Sequence, residues 1–168
     1  MRDTLILVGL ALLAAIVAAV IFYAGGAAAP QHSAPVTLTG TPVSVTTLAA
    51  GTHSTVSERT NYLITSQDQL QQLWKMTDAG GSPPSVDFTQ DAVIGVFAGQ
   101  EPTGGYSIAI AAVADSGTVR AVLVSLAKPG GSCILPQVVT APYEIVEMPR
   151  TGLQLTHQDE TTTTSCLQ

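Results

Sequence analysis

Few side chains in this sequence can do chemistry. There are two cysteines, Cys133 and Cys166, and three histidines, His32, His53 and His157. A nucleophilic cysteine needs a positioned base. His53 and His157 are bases in principle, but no Cys–His signature surrounds either sulfur. Two distant cysteines and three scattered histidines also lack the ligand spacing of a zinc site. The carboxylates Asp87, Asp91 and Glu101 lie on one apolar run and around its ends, which predicts solvated groups rather than a paired acid and base. We therefore expect no catalytic residue, no metal ligand and no cofactor.

One segment is better suited to binding. Residues 99–108, GQEPTGGYSI, join two apolar runs. Pro102 fixes one backbone angle and removes a donor. Gly104 and Gly105 allow positive φ or the close approach of another backbone. Thr103 can close a local hydrogen bond. Tyr106 supplies a rigid amphipathic ring of the type found at contact centres. A loop of this kind, pinned on two buried strands, is suited to hold a partner. The expected protein-binding residues are Glu101, Pro102, Thr103, Gly104, Gly105 and Tyr106. The same residues also describe a plain hairpin turn with a core tyrosine. Phosphate binding is excluded, because there is no GxGxxG, no following helix and no Lys beside the glycines.

The elements that must position this loop can be read from spacing. Residues 55–65, TVSERTNYLIT, alternate as a strand. Ser66 then offers an N-cap, with Gln69 three residues on. Leu70, Leu73 and Trp74 form an inward helical stripe, and Ala79-Gly80-Gly81 ends the helix. Residues 86–98 finish in a run apolar on both faces, the mark of a central strand. Residues 106–114 and 118–127 flank Asp115-Ser116-Gly117 and read as a hairpin. Residues 128–136 are a Gly/Pro-rich loop. Residues 137–140 and 143–148 read as one strand broken by Ala141-Pro142, and 153–157 as a last strand. The expected fold is α+β and mostly antiparallel, a sheet or sandwich of about six strands with one packed helix.

Composition supplies the setting. The chain has 168 residues, a net charge of −6, a hydrophobic share of 46% and only 11% charged residues; its mean hydropathy is +0.35. Without a cationic excess, nucleic-acid binding is excluded. The apolar character is concentrated in residues 5–24, LILVGLALLAAIVAAVIFYA, where 19 of 20 residues are apolar. About 20 helical residues span about 30 Å, the hydrocarbon core of a bilayer. Residues 1–25 read as a transmembrane signal anchor, with a cleaved signal peptide ending near Ala27-Ala28-Ala29 as the alternative. Residues 26–46, rich in Ala, Pro and Thr, read as an extracytoplasmic linker. Residues 47–168 read as the folded domain, and either reading of the leader places it outside the cytoplasm. There, Cys133 and Cys166 are expected to form a disulfide.

In that order, the blocks QDQLQQLWKM, PPSVDFTQDAVIGVFAGQEPTGGYSI and APYEIVEMPR resemble the PrcB C-terminal domain family over residues 58–156. The resemblance implies a β-rich, non-enzymatic extracytoplasmic domain that associates with another envelope protein, a protease in the founding case, and stabilises it. Such proteins are often lipoproteins; this chain has no lipobox cysteine and would use its apolar helix instead. A shorter likeness links EPTGGY to the NPTTGY loop of chagasin-type cysteine protease inhibitors, with Glu101 for Asn and Gly104 for Thr. A protease inhibitor is therefore the alternative expectation.

Overall fold

The computed structural model describes residues 37–166. The apolar segment at 5–24, expected as a membrane anchor, and residues 26–36 of the expected linker lie outside them. Among the described residues no helix is long and apolar enough to cross a membrane. The strands are β1 (Thr41–Pro42), β2 (Thr46–Gly51), β3 (Thr60–Ile64), β4 (Asp91–Phe97), β5 (Ser107–Ser116), β6 (Val119–Pro129), β7 (Tyr143–Pro149) and β8 (Gln154–Thr164), and α1 spans Gln67–Trp74. They form two four-stranded sheets, β1-β5-β6-β8 and β2-β7-β4-β3. All pairings are antiparallel except β6–β8. The fold class matches expectation, with about eight strands rather than about six.

The layering follows from the side chains of β4 and β7. Val93 and Phe97 of β4, with Tyr143 and Ile145 of β7, pack with Leu70, Leu73 and Trp74 of α1. Ile94 and Val96, with Val146 and Met148, face Ile108, Val113, Val122 and Val124 of the other sheet. The order is thus helix, sheet, sheet, and β4 is buried on both faces, as its two-sided apolar run requires. Gly95 lies beneath the helix; a Cβ there would come within 2.8 Å of Leu73 Cδ2. Phe97 stacks on Tyr143 at 5.8 Å between centroids and meets Tyr62 edge-on at 5.6 Å.

The helix begins as the sequence predicts. Ser66 accepts a hydrogen bond from the Gln69 N–H at 3.3 Å. The Gln69 side chain reaches one residue further back than a capping box requires, accepting from the Thr65 N–H at 2.9 Å. The helix ends earlier than expected, with Lys75 as its C-cap. The Trp74 indole N–H then donates to Gly80 O at 2.9 Å.

Three polar contacts tie the sheets together. Arg120, only 4% exposed, donates from Nε and Nη2 to both carboxylate oxygens of Asp115, at 2.6 and 2.8 Å. Its Nη1 donates to the Pro149 carbonyl at the end of β7. Glu144 accepts from the Ile110 N–H at 2.6 Å, where a register shift between Ile110 and Ala112 frees that donor from the ladder. Arg59 makes a bidentate pair with Asp159, joining the chain before β3 to β8.

Three strand boundaries differ from the sequence reading. Residues 137–140 are not a strand; only Thr140 pairs, in an isolated bridge with Glu101. The last strand runs on through the polar tail to Thr164, because it pairs with β6 along eleven consecutive residues. The span expected as linker up to 46 contributes β1, with Thr41 opposite Asp115.

The Arg120–Asp115 pair gives two predictions. Arg120→Ala removes a buried stem and orphans the Pro149 carbonyl, costing about 2–3 kcal/mol in chemical denaturation. Hydrogen bonds from Arg120 hold the Asp115 carboxyl below its usual value. The stability this confers is present above about pH 4, the unfolded carboxylate range, and is lost as pH falls through the lower folded value. Asp115→Asn is expected to flatten that acid limb of a melting-temperature profile; an unchanged profile counts against the pair.

Candidate functional site

The loop that leaves β4 is fixed by backbone contacts at each step. Gly99 turns at φ +89°, where a Cβ would come within 2.9 Å of Ser57 O. The Gln100 N–H donates to that same Ser57 oxygen at 3.1 Å. Glu101 and Thr140 exchange N–H···O bonds of 2.8 and 3.0 Å. The Thr140 hydroxyl donates to Thr103 O at 3.0 Å, and the Gly104 N–H donates to Pro136 O at 3.1 Å. Gly105 has φ +86°, and a Cβ there would meet Leu135 Cδ2 at 3.0 Å and Pro129 Cβ at 3.3 Å. The 101–106 loop is therefore half of a two-loop unit; residues 130–142 form the other half.

The second loop is anchored at its base. Cys133 and Cys166 form a disulfide, with Cα atoms 5.3 Å apart, as expected from the sequence. Beside it the Gly130 N–H donates to Thr164 O at 2.9 Å. The loop is thus fixed to the end of β8 on one side and to Glu101–Gly104 on the other.

Apolar side chains stand out from this unit. Ile134 is fully exposed, and Val138 and Val139 are 54% and 59% exposed. Pro102 and Gly105 are exposed in the adjoining loop, whereas Glu101, Thr103, Gly104 and Tyr106 are half-buried. Tyr106 faces a cavity of about 280 Å³ shared with Glu101, Leu126, Lys128 and Thr161. Burial raises the Glu101 carboxyl above its ordinary value. Sequence reasoning placed Ile134 in the 128–136 loop but missed Val138 and Val139 as surface residues, because their β-branched side chains read as a strand.

The remaining chemical groups lie apart from this unit. Asp87 accepts from the Thr89 N–H and hydroxyl at 3.0 and 2.6 Å, which lowers its pKa. Asp91 is half-buried at the start of β4. His53 Nδ1 lies 3.5 Å from Asp78 Oδ2, both largely exposed. Asp78 in turn accepts from the buried Tyr143 hydroxyl at 2.9 Å, and burial raises the Tyr143 pKa. His157 lines a separate groove between β3 and β8, beside Arg59, Asn61, Leu63 and Leu155. Among the described residues no three His, Cys, Asp or Glu side chains gather as a metal site. His32 lies outside the described residues.

A family model described as PrcB C-terminal matches residues 92–149. No curated protein and no solved structure matches the chain. The matched segment runs from β4 to the end of β7 and so contains both loops of the unit. It is narrower than the 58–156 resemblance read from sequence, leaving out β3, α1 and the start of β8.

The disulfide closes a sequence separation of 33 residues. Reduction is expected to cost about 3–4 kcal/mol in the chain-entropy description, and the native, unreduced protein should show no reactive thiol. Two titratable thiols in that protein would refute the bond.

Proposed function

We propose that this chain is a non-enzymatic, membrane-anchored extracytoplasmic domain that binds another envelope protein, in the manner of a subunit that associates with a protease and stabilises it. The observation that carries this reading is the two-loop unit: Ile134, Val138 and Val139 project from loops whose backbones are tied to each other and to β8. Exposed apolar side chains grouped on a fixed scaffold are the usual composition of a contact centre. The PrcB C-terminal match supports the protease association that the family resemblance implies. The disulfide is in keeping with an oxidising compartment, and the apolar segment at 5–24 would provide the tether.

A second reading, inhibition of a cysteine protease by the EPTGGY loop, draws support from the neighbouring 130–142 loop. A wedge entering a cleft needs such a companion, and Gly104 N–H···O Pro136 fastens the two.

Two experiments test these readings. Recovery of envelope partners by affinity-tagged full-length chain should fall about tenfold with Val138→Asp or Ile134→Asp, the loss of one well-buried contact. A surface change on α1 such as Gln71→Ala should leave recovery unchanged; equal recovery by all variants refutes the docking surface. Inhibition predicts loss of papain-like protease activity at micromolar excess of the chain, with subtilisin-like protease unaffected. Full activity of both removes that reading alone.

A further inference from the structure

The cavity lined by Glu101 and Tyr106 has a more specific chemistry than the exposed apolar residues of the 130–142 loop. Its walls include Glu101, Tyr106, Ser107, Leu126, Lys128 and Thr161. The Glu101 backbone is fixed by the two bonds to Thr140, so the carboxylate has a defined origin. It is half-buried, yet among the described residues it has no ion-pair partner. Lys128 also lines the cavity, but it is exposed and forms no ion pair with Glu101.

A half-buried carboxylate without a counter-charge is an incomplete arrangement. The lining also offers what a cationic side chain requires. Leu126 gives an aliphatic stem an apolar surface. Tyr106 in the lining supplies an aromatic ring of the kind that attracts cations, and the Ser107 and Thr161 hydroxyls can accept further N–H bonds. At about 280 Å³, the space lies below the ~300–1,000 Å³ typical of drug-sized ligand sites and suits a single side chain. The rise in the Glu101 pKa on burial points the same way, since a bound cation would offset that burial.

From this geometry we infer that the cavity seats one arginine or lysine side chain of the bound protein, with the Glu101 carboxylate taking the charge. The inference rests on the protein-binding reading above and adds the chemistry of the partner: a basic residue flanked by apolar ones, so that the apolar neighbours meet Ile134, Val138 and Val139.

The test uses the isotope-labelled full-length chain in detergent micelles, titrated with four capped pentapeptides, alanine except for a central Arg, Lys, norleucine or Glu. The Arg and Lys peptides should shift the amide resonances of residues 101–107 saturably, and bind about tenfold more tightly than the norleucine and Glu peptides, the value of one charge-assisted contact. Glu101→Gln, which keeps the backbone bridge to Thr140, should reduce Arg affinity to the norleucine level. Equal affinity for Arg and norleucine, shifts that never saturate, or unchanged Arg binding by Glu101→Gln would each overturn the proposal. In partner recovery, loss with Val138→Asp but not with Glu101→Gln keeps the docking surface and removes the basic seat. No loss with either variant removes both.

Discussion

Strand β4 has to be apolar on both faces, and the rest of the domain is arranged around that constraint. Val93 and Phe97 need a cover on one side, which α1 supplies through Leu70, Leu73 and Trp74. Ile94 and Val96 need one on the other, which the β5–β6 sheet supplies. Gly95 keeps the helix close, because any side chain there would strike Leu73. β7 pairs with β4 over its whole length and repeats the two-sided burial. A strand fixed this firmly delivers its C-terminal end to a defined place, and the 101–106 loop starts from that end.

The polar groups complete what apolar packing leaves undetermined. Burial is non-directional, so it holds the two sheets together without setting their registration. Arg120 reaching Pro149, Glu144 reaching Ile110 and Arg59 reaching Asp159 supply directional contacts across the sandwich. The disulfide and the Glu101–Thr140 bridge do the same for the two loops. The outcome is a two-loop unit where exposed apolar side chains are presented on ordered backbone, with Glu101 and Tyr106 of the 101–106 loop lining a cavity. The functional reading depends on that combination, since an unpaired apolar loop would lose too much entropy on binding to serve well.

The sequence made much of this legible. The capping pattern at Ser66 and the stripe at Leu70, Leu73 and Trp74 located the helix, and the two-sided run in 86–98 identified the central strand, although only 91–97 pairs. What was hidden has physical reasons. Val138 and Val139 carry β propensity, but propensity reports fit to a half-buried pleated surface, and no neighbouring strand offers one. The tail THQDETTTT shows no alternation, because β8 is held by backbone pairing to β6 rather than by a buried face. Nothing in VRAVLV marks Arg120 as buried. Its partner was nonetheless accessible, since a tight turn at Gly117 places Asp115 directly opposite Arg120 in the hairpin.

The central claim is that the paired loops form the face that meets another protein. Site-specific photocrosslinking in intact cells tests it most directly, with the reactive side chain placed at Ile134, at Pro102, and at the exposed Gln71 of α1. The account predicts one discrete heteromeric product from positions 134 and 102 and none from 71. Products from 71 alone, or equally from all three positions, would contradict it.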